Sequence, residues 1–136
     1  MMKRIIPILL LALSLGACAQ FQAFEADVKT AFQVANSAAV TPQQAYIAIN
    51  VYDGVEATAT NYIGWPKCTG TNGPACRDPV VRAQIKKVVL SGRVARNDVK
   101  AYLRANPGAN LNIQSFADLQ AATTELKSII NAYRIN

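Results

Sequence analysis

Apolar side chains recur at steps of three and four residues along most of the chain, the spacing that gathers them on one face of an α-helix. Phe21, Phe24, Val28, Ala31, Phe32 and Ala35 form the first such stripe and predict a helix from about Phe21 to Ala39, with Glu25, Asp27 and Lys29 lying off it. The second stripe is Ala45, Ile49, Tyr52, Ala59, Tyr62 and Ile63. Its start is well marked: Thr41 suits the N-cap, Pro42 the first helical position, and Gln44 closes a capping box. Asp53-Gly54 interrupts this segment at a cost of roughly 1 kcal/mol relative to alanine. It should end near Gly64-Trp65-Pro66, because the residue before a proline disfavours the helical region.

The third segment opens with Asp78 as cap and Pro79 at the first helical position. Val81, Ile85, Val88, Gly92, Ala95, Val99 and Tyr102 then alternate steps of four and three. They predict one long helix to about Arg104 with a soft middle at Ser91-Gly92, where small residues permit close approach of a neighbour. Asn106-Pro107-Gly108 ends it. The fourth segment starts near Asn112 or Ser115 and carries a narrow seam of Phe116, Leu119, Thr123, Leu126, Ile130 and Tyr133. No strand-like alternation of useful length interrupts these helical patterns. Four amphipathic faces bury themselves against each other, so the expected fold is all-α: a small antiparallel bundle of about four helices.

The residues before the first stripe follow a different pattern. Met1-Met2-Lys3-Arg4 is a short cationic start, and Ile5 to Ala17 follows without a charge. That is the layout of a secretory signal. A membrane-spanning helix needs roughly 20 apolar residues, and this run is shorter and broken by Pro7. Its end, Leu15-Gly16-Ala17-Cys18, resembles the lipobox of bacterial lipoproteins: a large apolar residue, two small ones, then cysteine. The resemblance implies a signal over residues 1–17 and a lipid-anchored helical domain over 18–136, with diacylglycerol on the Cys18 thiol and acylation of the new amine. Two or more acyl chains anchor stably where one alone does not. Ala19 is not the aspartate that retains many enterobacterial lipoproteins in the inner membrane, which favours the periplasmic face of the outer membrane. The alternative is a cut after Ala17-Cys18-Ala19, which would release a soluble periplasmic protein starting at Gln20.

With Cys18 acylated, Cys68 and Cys76 remain, an even number in a compartment where disulfides persist. They bracket the turn-rich Thr-Gly-Thr-Asn-Gly-Pro-Ala and are expected to bond. Closing so short a ring stabilises by about 2–3 kcal/mol in the chain-entropy model. A metal or redox pair is the weaker alternative, since the spacing is not C-x-x-C and the chain has no histidine to complete a zinc site.

The missing histidine also removes the usual general base near neutral pH, and with it any Ser-His-Asp or Cys-His site. Asp53 and Glu56 are the one close carboxylate pair, and such a pair can serve glycoside hydrolysis on cell wall. Exposed helix charges beside a glycine are the plainer account. Cys68-Thr69-Gly70-Thr71-Asn72-Gly73 lacks the lysine and following helix of a phosphate-binding loop. No cofactor or metal is expected.

Charge is concentrated on the third segment. Arg77, Arg82, Lys86, Lys87, Arg93, Arg96, Lys100 and Arg104 stand against only Asp78 and Asp98. Arg82, Lys86, Arg93, Lys100 and Arg104 fall along one flank beside the apolar stripe and form the candidate binding surface, together with Trp65 at the exit of the second segment. Without Lys3 and Arg4 the fourteen basic residues become twelve against eight acidic ones, a net charge of +4. A cationic strip on an anchored protein can meet anionic lipid, lipopolysaccharide phosphates or an acidic envelope protein. The compartment argues against nucleic acid. A solvated face that keeps the protein soluble explains the same charges.

Val51 to Ile63, with Trp65-Pro66-x-Cys68, Cys76-Arg77-Asp78-Pro79 and Gly92-Arg93-Val94-Ala95-Arg96-Asn97, resembles a group of small signal-bearing proteins of proteobacteria and their phages or prophages. The resemblance covers the middle of the chain and implies a common helical domain and a phage-linked context. It carries over no site residues. The expected function is a non-enzymatic envelope lipoprotein with a binding or structural role. The alternative is an envelope enzyme acting on cell wall through Glu56 or Asp53.

Overall fold

The computed structural model describes residues 39–70, 76–133 and 135. The signal, Cys18 and all but the last residue of the first expected helix lie outside the described residues. Three helices are seen: α1 from Pro42 to Ile63, α2 from Pro79 to Ala105 and α3 from Gln114 to Tyr133. They are the second, third and fourth expected segments. The count among the described residues is therefore three where about four were expected, and Ala39 itself is not helical. The all-helical class holds, with only isolated β-bridges besides the helices among the described residues.

The helix starts follow the cap residues. The Gln44 amide donates to Thr41 Oγ1 at 3.3 Å, and the Thr41 amide donates to Gln44 Oε1 at 2.9 Å, so each side chain satisfies a backbone donor that the helix leaves unpaired. Asp78 Oδ1 accepts from the amides of Val80 and Val81 at 2.7 and 3.1 Å. α1 runs unbroken through Asp53-Gly54, and α2 through Ser91-Gly92. Neither expected weak point breaks its helix, because both lie in helices fixed by packing on their neighbours.

Each helix packs on the other two, α2 and α3 most extensively. The core takes Ile49, Tyr52, Ile85, Val99, Leu119 and Leu126, all almost inaccessible to solvent. Buried faces are wider than the expected stripes: Ala48 and Val51 join on α1, Val89 and Leu103 on α2, Ala122 and Ile129 on α3. Tyr133, placed on the fourth seam by periodicity, is exposed instead. At one end, Val40 and Leu111 exchange backbone hydrogen bonds of 2.9 and 2.7 Å and seal the bundle beneath the α2–α3 connection.

At the other end the α1–α2 connection is closed by the Cys68–Cys76 disulfide, as cysteine arithmetic implied. The two sides of that connection also bond directly. The Cys68 amide donates to the Arg77 carbonyl, the Arg77 amide donates to the Pro66 carbonyl, and Arg77 Nε donates to the Trp65 carbonyl at 2.6 Å. The Asp78 amide donates to the Tyr62 hydroxyl at 2.6 Å, which ties the start of α2 to the end of α1.

Candidate functional site

The polar chemistry of the described residues concentrates where α1 faces α2. Asp53 and Glu56 are one turn apart on α1. Arg93, Arg96 and Lys100 are spaced by three and four residues on α2. The helices run antiparallel here, so the two spacings mesh. Both Nε and the Nη2 of Arg93 reach Glu56 Oε1, at 2.7 and 2.6 Å. Arg96 Nη1 lies 2.7 Å from Asp53 Oδ1 and 3.6 Å from Glu56 Oε2. Lys100 Nζ completes the chain 3.6 Å from Asp53 Oδ2. Glu56 is buried, a rare place for a carboxylate unless it is paired.

The network sits on a tyrosine seat. The Tyr52 ring is fully buried, and its hydroxyl donates to the Val89 carbonyl at 3.0 Å. The Arg96 guanidinium stands 5.9 Å from the ring centre, within cation–π range. Gly92 makes the approach fit: a Cβ there would stand 2.7 Å from both Tyr52 Cζ and its hydroxyl, and closer still to Cε2. The expected small-residue contact on this stripe is thus a glycine receiving an aromatic ring. Burial, and then the negative charge of Glu56, push the Tyr52 hydroxyl above the ordinary tyrosine range. Hydrogen bonding to Asp53 raises the Arg96 guanidinium further and keeps it charged.

The expected basic flank is accordingly divided. Arg93 and Lys100 are engaged by α1 carboxylates, as is Arg96, which lay outside the expected strip. Lys86 and Arg104 are exposed, without an ion pair among the described residues. Arg82 is half-buried, with its Nε enclosed and without a hydrogen-bond partner. The structure brings Arg93 and Lys100 together around Asp53 and Glu56, and leaves Lys86 and Arg104 apart from them. Trp65 belongs to the bundle end: it is half-buried against the core, with its ring 5.3 Å from that of Tyr62. Cys18 lies outside the described residues.

Matched spacing was the available signal for the network. Two carboxylates three apart on one helix and two arginines three apart on the next form a ladder when the helices are antiparallel. A second polar feature has no signal of that kind. Asp98, Asp118 and Glu125 come together on one groove between α2 and α3, although they are scattered in sequence. No group of three or more potential metal ligands is placed to hold an ion among the described residues. No described helix is long and apolar enough to cross a membrane.

Compared with known proteins, the chain matches no family model, no curated protein and no solved structure.

Proposed function

We propose that the chain is a non-enzymatic lipoprotein of the bacterial cell envelope, held by acyl chains on Cys18, whose helical domain has a binding or structural role. The observation that carries the non-enzymatic half is the commitment of Asp53 and Glu56. A carboxylate pair that cleaves glycosides presents one group as proton donor and the other to water or the sugar. Here Glu56 is buried, and three cations of α2 are bound to the two carboxylates. Their role as a fold-holding ladder accounts for their position without a substrate.

The envelope location is supported by Leu15-Gly16-Ala17-Cys18 and by the disulfide, a bond that persists in oxidising compartments. The likeness to small phage and prophage proteins supports a phage-linked role, such as altering the host envelope or excluding competing phage. Lys86 and Arg104 are the cations of the expected flank left exposed for anionic lipid or an acidic envelope partner.

The direct test is labelling. Cells producing the chain should incorporate radiolabelled palmitate into it, and Cys18→Ser should abolish the label. A mature N-terminus at Gln20 by mass spectrometry would overturn the anchor. Release of soluble fragments from peptidoglycan, lost in Glu56→Gln, would overturn the non-enzymatic reading in favour of the cell-wall enzyme.

A further inference from the structure

α2 and α3 leave between them a groove of about 470 Å³, lined by Ser91, Val94, Ala95 and Asp98 on α2 and by Asp118, Ala121, Ala122 and Glu125 on α3. Two features set it apart from an ordinary helix seam. Its floor is apolar and made of small side chains, so the backbones of both helices lie close to the surface. Val94, on its α2 side, is 62% exposed, a large apolar group held in water.

The second feature is charge. The chain as a whole is strongly basic, yet among the described residues no cation lines this groove. Of the six described acidic residues, Asp53 and Glu56 are ion-paired and Asp78 caps a helix. The remaining three, Asp98, Asp118 and Glu125, all line the groove. Asp118 accepts a hydrogen bond from Gln114 Nε2, and Asp98 and Glu125 have no ion-pair partner among the described residues. In a chain with surplus lysine and arginine, collecting the carboxylates that no cation engages around an exposed valine leaves a surface complementary to one kind of partner.

We propose that this groove binds an amphipathic helix whose apolar face is flanked by lysine or arginine. Anionic lipid, nucleic acid and acidic protein are repelled by three carboxylates. An apolar ligand without charge would leave those carboxylates facing its rim without compensation. A basic amphipathic helix satisfies both parts: side chains at i, i+3, i+4 and i+7 enter between Val94, Ala95, Ala121 and Ala122, and its cations meet Asp98, Asp118 and Glu125. The stretch from Ser91 to Asp98 spans about 10 Å of helix axis, room for about two turns of such a ligand. The groove belongs to α2 and α3 alone, so its binding does not depend on whether Cys18 carries lipid.

The test uses the full chain and three fluorescent peptides about four turns long. The first has leucines at helical spacing flanked by lysines. The second has the same composition shuffled to destroy the periodicity. The third has glutamate in place of lysine. By fluorescence anisotropy at low salt, the first should bind saturably and the other two at least about tenfold more weakly. Asp98→Asn with Glu125→Gln should weaken the first by about tenfold, and Val94→Lys should abolish its binding. These positions are exposed, and an unchanged circular dichroism melt shows that each variant folds. Equal binding of the shuffled and ordered lysine peptides, or binding indifferent to the groove variants, would overturn the proposal, as would absence of binding to the full chain. A dimer in sedimentation that Val94→Lys converts to monomer would also overturn it, by assigning the groove to a second copy.

Discussion

α2 handles charge in two opposite ways on its two sides. Toward α1, cations meet carboxylates in a continuous ladder from Lys100 through Asp53, Arg96 and Glu56 to Arg93. Toward the outer edge of α3, carboxylates gather with no cation among the groove-lining residues. The first arrangement rests on a buried ring and is part of what positions α1 on α2. The second lies above an already complete layer of Val99, Leu119 and Leu126, which hold α2 to α3 without it. Charge that is consumed by the fold and charge that is left over for a ligand are thus separated by the width of one helix.

If the α1–α2 side is a fitted seat, its largest sensitivity should be steric. Tyr52→Ala removes a fully buried ring and should destabilise by about 4 kcal/mol in urea unfolding. Gly92→Val drives a branched side chain into the space of that ring and should cost about 2–3 kcal/mol. The two together should cost less than their sum, because the valine partly fills the space the ring vacated. Strict additivity would mean that ring and glycine do not share the seat.

The same tyrosine gives this side a signature in alkali. Its folded hydroxyl is pushed above the ordinary 10.0, first by burial and then by Glu56. A group with a raised folded value contributes its stability fully below the unfolded value. The contribution is lost as pH rises from about 10 toward the folded value, because the unfolded chain releases the proton first. Over that window Tyr52 should lower stability by about 1.4 kcal/mol per pH unit, and Tyr52→Phe should remove that component of the slope. Urea midpoints between pH 9 and 11, compared for the two chains, check it.

Removing charge from the ladder should cost less than removing the ring. Arg93 is half in water, so its pairing with Glu56 is screened on one side. Arg96 is more enclosed and would lose one of its two carboxylates. Glu56→Ala should destabilise by about 1–2 kcal/mol, and high salt should narrow the gap between variant and parent. A loss near that of Tyr52→Ala would make the ladder, not the ring, the main support of the seam.

What could be read from the sequence follows from the range of the interactions. The starts of α1 and α2 were legible because a cap is settled within four residues: Thr41 with Gln44, Asp78 with Pro79. The stripe from Val81 to Val99 was legible because one helix face repeats at fixed steps. The Tyr133 misplacement shows the limit of that rule, since periodicity assigns a face but not where the neighbouring helix ends. Asp53 and Glu56 were singled out as a pair, yet their partners depend on the register of α1 against α2, which no local pattern states. The α2–α3 groove was illegible for the same reason: Asp98 and Asp118 are twenty positions apart in sequence and meet only through the packing of two helices.

The smallest expected effect is the one that most sharpens the contrast between the two sides. Asp98→Asn with Glu125→Gln removes two charges from the groove without removing a contact that holds α2 to α3. Neither residue has an ion pair to lose among the described residues, and each shares the groove with Asp118. Like charges gathered on one surface repel, so neutralising two of them relieves some of that repulsion at low ionic strength. The expected change in stability is within about 0.5 kcal/mol, on the stabilising side in low salt and vanishing in high salt. Urea unfolding of this double variant beside Glu56→Ala, at both salt concentrations, sets the two kinds of carboxylate against each other directly. Loss of stability in the groove variant comparable to that of Glu56→Ala would show that its carboxylates are structural after all, and the distinction between the two sides of α2 would fall.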